Sequence, residues 1–137
     1  MKTQISARIN TARYGIMAVL CLLLIACGAE SRLPTQVWQD VTVGLESRPA
    51  PVVAGMNEFL VSAVRASGAA EYNLLVSIRM SDDQPWVQAI QDGHTGVFRR
   101  AVAVRGDAPH TLRVRLVREG QEGVLAFELP AAKEDAA

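Results

Sequence analysis

The side chains best suited to hold a metal ion, outside the first 30 residues, are two methionines and two histidines: Met56, Met80, His94 and His110. Imidazole nitrogen suits copper, and thioether sulfur favours the cuprous ion. Met80 ends one predicted strand, His94 lies in the following loop and His110 begins a later strand, so these three residues could meet at one end of a β-sandwich. Because no pair has tight spacing such as His-x-His, the alternative is methionines at core edges and histidines in solvated turns.

The segment MSDDQPWVQAIQDGHTGVFRRAV, residues 80–102, offers side chains suited to protein contact. Pro85 fixes the backbone angle before Trp86, and tryptophan and arginine dominate binding hot spots. Arg99 and Arg100 point to opposite faces of the next predicted strand, so one of them either needs an acidic partner such as Asp82, Asp83 or Asp92 or lies at the exposed start of the strand. We predict a partner-binding site at Pro85, Trp86, Arg99 and Arg100. The alternative is that Trp86 packs over an open end of the sandwich.

Catalytic motifs are missing from the sequence. Ser81, Asp92 and His94 could be drawn as a triad, but no nucleophile elbow frames the serine. The segment DGHTG lacks both the lysine and the strand-to-helix setting of a phosphate loop, so it is better interpreted as a turn. We therefore predict that the protein is not an enzyme.

The N-terminal segment has the features of an export signal. Basic residues and no acids precede an apolar run from Ile16 to Ala26, which is shorter than the roughly 20 residues of a membrane-spanning helix. The run ends in Leu-Ile-Ala-Cys, which resembles the lipobox of bacterial lipoproteins. The alternative is a plain secretory signal in which this cysteine is incidental. The resemblance implies cleavage after residue 26, lipidation of Cys27 and, with Gly28 next, an outer-membrane position facing the periplasm. Several acyl chains together anchor a protein stably to a membrane.

Loss of residues 1–26 would also change the composition of the protein. It removes Cys21, so that no thiol pair is left for a disulfide or a thiolate zinc site. It also removes three of the 14 basic residues and none of the 14 acidic ones, which leaves a net charge of −3. A mildly acidic domain is not suited to bind nucleic acid.

Apolar residues recur at every second position between Gln36 and Pro130, which is typical of half-buried strands. About seven short strands separated by Gly, Pro and Asp predict an all-β, Ig-like antiparallel sandwich. The run QVWQDVTV places Val37, Gln39, Val41 and Val43 on one side of a first strand, and SGAAE and GQEG are interpreted as turns. The run YNLLVSIRM directs Leu74, Val76, Ile78 and Met80 inward and Arg79 outward. The runs HTLRVRLVREG and VLAFELP predict a closing hairpin, with Arg113 and Arg115 facing water and with the inward residues Leu112, Val114, Leu116, Leu125, Phe127 and Leu129. We expect a signal helix at 1–26, a lipidated cysteine and tether at 27–35, the sandwich at 36–130 and a frayed tail at 131–137.

The order of segments from Asn57 to Leu129 resembles the YtkA-like and FixH-like exported domains. The resemblance is carried by the strand NEFLVSAVRASG, the strand LLVSIRM, the Pro-Trp loop, the Gly-His-Thr-Gly-Val-Phe turn and a final strand pair. It implies a small Ig-like sandwich of the bacterial envelope and, through members that accompany copper handling, a ligand role for Met80. Trp86 and Val87 replace the second methionine of that family's Met-Pro segment.

These features lead to two expectations about function. The first is a lipid-anchored envelope module without catalytic activity or cofactor, which binds another envelope protein. The second is a periplasmic protein that binds or delivers copper through Met80, His94 and His110.

Overall fold

The computed structural model of the protein describes residues 33–106 and 110–130, so the predicted signal segment, Cys27 and the predicted tail lie outside the described residues. The described residues form strands and loops and contain no helix. The strands are β1 (Gln36–Trp38), β2 (Val41–Arg48), β3 (Gly55–Arg65), β4 (Leu75–Arg79), β5 (Val87–Gln88), β6 (Ile90–Gln91), β7 (Val97–Val104), β8 (His110–Arg118) and β9 (Gln121–Leu129).

The strands form two antiparallel sheets. The first sheet has the order β1-β2-β3-β7-β6, and the second has the order β5-β4-β8-β9. In chain order, β2-β3-β7-β6 and β4-β8-β9 correspond to the A-B-E-D and C-F-G sheets of an immunoglobulin constant-type domain. The predicted Ig-like sandwich is therefore confirmed.

The core lies between the two sheets and is built from the alternating positions of their strands. Phe59 and Phe98 from the first sheet and Phe127 from the second are its largest apolar side chains, each at most 2% exposed. Burial of one such side chain contributes about 1.5–3 kcal/mol to the free energy of unfolding. The predicted inward set Leu112, Val114 and Leu116 is also fully buried.

One extended segment joins the two sheets at their edges. Its first part, β5, pairs with β4 in the second sheet, and its last part, β6, pairs with β7 in the first. The change of sheet takes place at Ala89, whose amide donates to the carbonyl of Val76 and whose side chain is buried. The sequence predicted a loop here, because two-residue strands are too short to show a period.

The first predicted strand is divided by a turn, which corrects the orientation predicted for its side chains. We expected Val37 to share a face with Val41 and Val43. Instead Gln39 adopts a positive φ of 53°, and β1 folds back on β2. As a result Val37 is 67% exposed, whereas Trp38 packs against the core.

The closing hairpin is confirmed, with a shorter turn than predicted. Arg118 pairs with Gln121, so the turn consists of Glu119 and Gly120 rather than residues 120–123. Both have positive φ, 52° and 78°, as a two-residue turn of type I′ requires.

A buried carboxylate links three parts of the chain at one end of the sandwich. Glu71, only 1% exposed, accepts hydrogen bonds from Arg65 at 2.8 Å, from Arg118 at 3.1 Å and from the amide of Asn73 at 2.9 Å. Arg118 also pairs with Asp40 in the β1–β2 turn. The hydrogen bond from Arg65, and then those from Asn73 and Arg118, outweigh burial and lower the pKa of Glu71 to about 2.

Candidate protein-contact site

Trp86 lies on the outer face of the second sheet. It immediately precedes β5, and the pairing of Val87 with Ile78 sets it beside Arg79 on the face that points away from the core. The guanidinium carbons of Arg79 and Arg115 are 4.4 Å and 4.9 Å from the centroid of its ring. The half-buried indole therefore packs against two arginines on a sheet surface, and not over the open end of the sandwich.

Three arginines occupy the centre of this surface, which we call the arginine–tryptophan face: Arg79 on β4, and Arg113 and Arg115 on β8. Arg79 pairs directly with Arg113 in the sheet register, so two like charges stand side by side. The carboxylate of Asp82 lies 2.9 Å from Arg79 and 3.4 Å from Arg113 and reduces their repulsion. In the part of the chain that the structure describes, Asp82 is the one acid that forms an ion pair with any of these three arginines. Three positive charges and one negative charge leave the centre of the face positively charged.

Apolar side chains lie beside the arginines. Val124 on β9 pairs with Arg115 and is 50% exposed, and Leu75 on β4 pairs with Val117 and is 57% exposed. The face therefore combines positive charge, an aromatic ring and apolar area. Such a surface can bind a partner that presents carboxylates next to apolar groups. The carboxylates would pair with the arginines, and the apolar groups would pack against Trp86, Val124 and Leu75.

Arg99 and Arg100 lie on the other sheet, on β7, and the structure does not bring them together with Trp86. Arg99 pairs with Asp92 at 2.8 Å, so one of the acids suggested by the sequence is its partner. Both arginines line a groove of about 580 Å³ at the edge of the first sheet.

Pro85, the fourth residue of the predicted contact site, is exposed and immediately precedes Trp86.

The predicted metal ligands are divided between the two ends of the sandwich. Met80 follows β4 and packs against the core, and His110 begins β8, which runs antiparallel to β4, so both lie at one end. His94 lies in the β6–β7 turn, edge-on to Tyr72 with ring centroids 4.7 Å apart. Tyr72 precedes β4 and therefore lies at the opposite end.

The turn that holds His94 is the one predicted from DGHTG. The amide of Asp92 donates to the carbonyl of Val97, and the hydroxyl of Thr95 donates to the carbonyl of Asp92 at 2.7 Å. Gly93 and Gly96 adopt positive φ, and a Cβ on Gly96 would lie 2.6 Å from the carbonyl oxygen of Ala63.

The residues that the structure describes contain no group of three or more His, Cys, Asp or Glu side chains that could hold a metal ion. Copper binding stays a prediction.

Two members of the contact site, both on β8, were not identified from the sequence. Arg113 and Arg115 were predicted only to face water, which they partly do. Arg115 contacts Trp86 and Arg113 lies beside Arg79 only because β8 pairs with β4, and these two strands are distant along the chain. A useful signal was available, since arginines alternate with apolar residues on β8 and Arg79 ends β4 at an outward position.

Comparison of the chain with family models, with curated proteins and with solved structures gave no match. The two-sheet topology defines the class of the protein as an immunoglobulin-like β-sandwich. Because no comparison gave a match, the resemblance to YtkA-like and FixH-like domains stays a prediction. Among residues 33–106 and 110–130 there is no helix long and apolar enough to cross a membrane.

Proposed function

We propose that the protein is a lipid-anchored module of the bacterial envelope that binds another envelope protein and catalyses no reaction. The arginine–tryptophan face is the contact surface, and its partner is an acidic segment with adjacent apolar side chains. The observation that carries this proposal is the position of Trp86, held by Arg79 and Arg115 on an accessible sheet face.

Preorganisation of the ring supports this proposal. A cation over an aromatic ring contributes about 0.5–1 kcal/mol at an exposed site and ~2 kcal/mol when water is excluded. A partner that covers Trp86 would exclude water from both of its cation–π contacts and strengthen them. The indole also loses little conformational freedom on binding, because its position is already set.

Charge supports an acidic partner. Processing at Cys27 would leave a chain of net charge −3, whereas the centre of the arginine–tryptophan face has three arginines and one paired acid. A positive area on an otherwise acidic protein orients an approaching acidic partner toward that face.

Photo-crosslinking in cells of the native host tests the contact surface. A photoreactive amino acid replaces Val124, beside Arg115, and in a matched control it replaces Ser62 on the outer side of the first sheet. We expect a discrete crosslinked product from position 124 only, with the partner residues mapped to an acidic segment. Equal products from both positions, or none from position 124, would contradict the proposal.

The anchor rests on Cys27 and its surroundings and needs a separate test. Metabolic labelling with palmitate should mark the wild-type protein and fail to mark a Cys27→Ala variant, which should also leave the membrane fraction. A Cys21→Ala variant is the control and should be labelled normally. Labelling of Cys27→Ala would contradict the anchor without bearing on the contact face.

Copper binding is the second candidate, and one feature favours it. His110 has its Nε2 atom buried without a hydrogen-bond partner among the described residues, and Met80 lies at the same end of the sandwich. We expect cuprous ion to bind the full chain more tightly than a Met80→Leu, His110→Ala double variant. His94→Ala is the control, because His94 lies at the other end. Equal affinity of the double variant would exclude this function.

A further inference from the structure

The edge of the first sheet is only partly covered along β7. Strand β6 pairs with Phe98 and Arg99, and the chain then crosses to the second sheet at Ala89. Among the residues that the structure describes, the rest of β7, residues 100–104, has no strand on this side. An uncovered strand edge can accept a further strand from another chain.

The direction of the backbone groups shows which residues would pair with such a strand. The carbonyl of Val97 accepts from Asp92 on the β6 side, whereas the carbonyl of Gly96 accepts from Ala63 on the β3 side. Because successive residues of an antiparallel strand point their backbone groups in opposite directions, odd-numbered residues of β7 point to the open edge. Arg99 pairs with Ile90, which leaves the N–H and C=O groups of Ala101 and Ala103 directed at solvent.

The side chains along this edge leave room for a second chain. Ala101 and Ala103 are small and exposed, and Ile90, where β6 begins, is 68% exposed. The groove of about 580 Å³ lies beside them and is bounded by Glu58, Ile90, Asp92, Arg99, Arg100 and Ala101.

The position of Arg100 favours an acidic side chain opposite it. Asp92 already pairs with Arg99, whereas Arg100 has no ion pair among the described residues. Glu58 also bounds the groove, but it pairs with Ala101 in the sheet register and therefore lies on the other face of the sheet from Arg100. One register of a second copy of this chain is disfavoured. When Ala101 of one copy joins Ala103 of the other, Arg99 of each copy faces Arg105 of the other, and like charges directly opposite are destabilising. The register that joins Ala101 to Ala101 is tested by the dependence of protection on protein concentration, given below.

We propose that the open edge of β7 binds an extended peptide segment by strand addition, with a carboxylate side chain opposite Arg100 and an apolar side chain opposite Val102. Ala101 and Ala103 supply the backbone hydrogen bonds, and the side chains of Arg100 and Val102 select the sequence. This site lies on the sheet opposite the arginine–tryptophan face and does not depend on it.

Charged side chains also protect sheet edges from pairing, so the test must separate acceptance of a strand from its prevention. The probe is a peptide with blocked termini in which every second residue is threonine and the residues between are valine, glutamate and valine. It is added at millimolar concentration to the full chain in detergent. We expect the amides of Ala101 and Ala103 to exchange at least about tenfold more slowly with deuterium, which corresponds to a bound edge hydrogen bond. A peptide with lysine in place of glutamate should bind at least about tenfold more weakly.

Two further comparisons identify the binding mode. The same peptide N-methylated on the residues that face β7 should not bind, because it has lost its backbone donors. Ala103→Pro should abolish binding, since its amide points to the open edge, whereas Ala126→Pro, at an edge position of the other sheet, should leave it unchanged. If Ala103→Pro does not fold, Arg100→Glu is tested in its place. This variant should bind the lysine peptide more tightly than the glutamate peptide, the reverse of the wild type.

Three results would overturn the proposal. The first is no protection of Ala101 and Ala103 at millimolar peptide. The second is equal binding of the N-methylated peptide. The third is protection of the same two amides without peptide that rises with protein concentration, which would assign the edge to a second copy of the chain.

Discussion

The guanidinium carbon of Arg79 lies 4.4 Å from the ring centroid of Trp86, on the side of the second sheet that faces away from the core. Arg79 is in turn held by Asp82, so an acid, a base and an aromatic ring follow one another on the surface. This arrangement stabilises the loop that contains Trp86 and also presents the ring. It makes Trp86 a surface side chain whose removal should affect binding more than folding.

Replacement of Trp86 by alanine should cost little stability. Two partly exposed cation–π contacts are lost, which corresponds to about 1–2 kcal/mol in the free energy of unfolding. Phe98→Ala, which empties a core position that is 1% exposed, should cost about 3–5 kcal/mol. Urea unfolding followed by circular dichroism measures both. A loss for Trp86→Ala as large as that for Phe98→Ala would make Trp86 a core residue.

Stability should fall with acid because of Glu71. Its pKa is lowered from an ordinary value of 4.5 to about 2, so the folded state binds its proton less readily than the unfolded state. The stabilisation is complete above pH 4.5 and is lost as the pH falls toward 2, and it amounts to about 3 kcal/mol. Glu71→Gln should therefore destabilise the protein at pH 7 and be nearly neutral near pH 2.

The control for this series is Glu122→Gln, which changes an exposed glutamate of β9. At each pH of the series, the free energy of unfolding of Glu122→Gln should lie within about 0.5 kcal/mol of the wild-type value at the same pH. If Glu71→Gln lost the same free energy at pH 2 as at pH 7, the carboxylate charge would not be the source of stability.

A side chain at position 123 should displace Trp38. A Cβ on Gly123 would lie 2.1 Å from the indole Nε1 of Trp38, so the ring can rest on β9 only because residue 123 is glycine. In a Trp86→Phe background, in which Trp38 is the one tryptophan, we expect Gly123→Ala to cost about 1–3 kcal/mol and to change the fluorescence of Trp38. Val124→Ala, one residue further on and half-exposed, is the control and should leave that fluorescence unchanged.

Much of the fold follows from alternation alone. The inward sets of β4, β8 and β9 were predicted correctly because each strand has one buried and one solvated face, so that polarity reports orientation. The β1–β2 hairpin was missed since Gln39 adopts a left-handed conformation that its residue type does not indicate. The crossing at Ala89 was missed for a similar reason, because a sheet change has no period.

The contact site was predicted less completely than the fold. Trp86 was identified from its residue type and its loop, but its two arginine partners come from strands that meet only in the folded sheet. Glu71 was taken for part of a turn, because nothing in the local sequence indicates that Arg65 and Arg118 converge on it. The periodicity of a single sequence reports which face of a strand is buried, but it does not report which charged side chains from distant segments meet in the folded protein.

The dissociation constant between the full chain and the partner segment found by crosslinking at position 124 tests the central claim most directly. We expect Trp86→Ala to weaken binding by at least about tenfold, as for a hot-spot residue. Val37→Ala, which removes an exposed side chain of β1, should change it less than about twofold. Equal affinity of the wild type and Trp86→Ala would contradict the account and remove the arginine–tryptophan face as the site of partner binding.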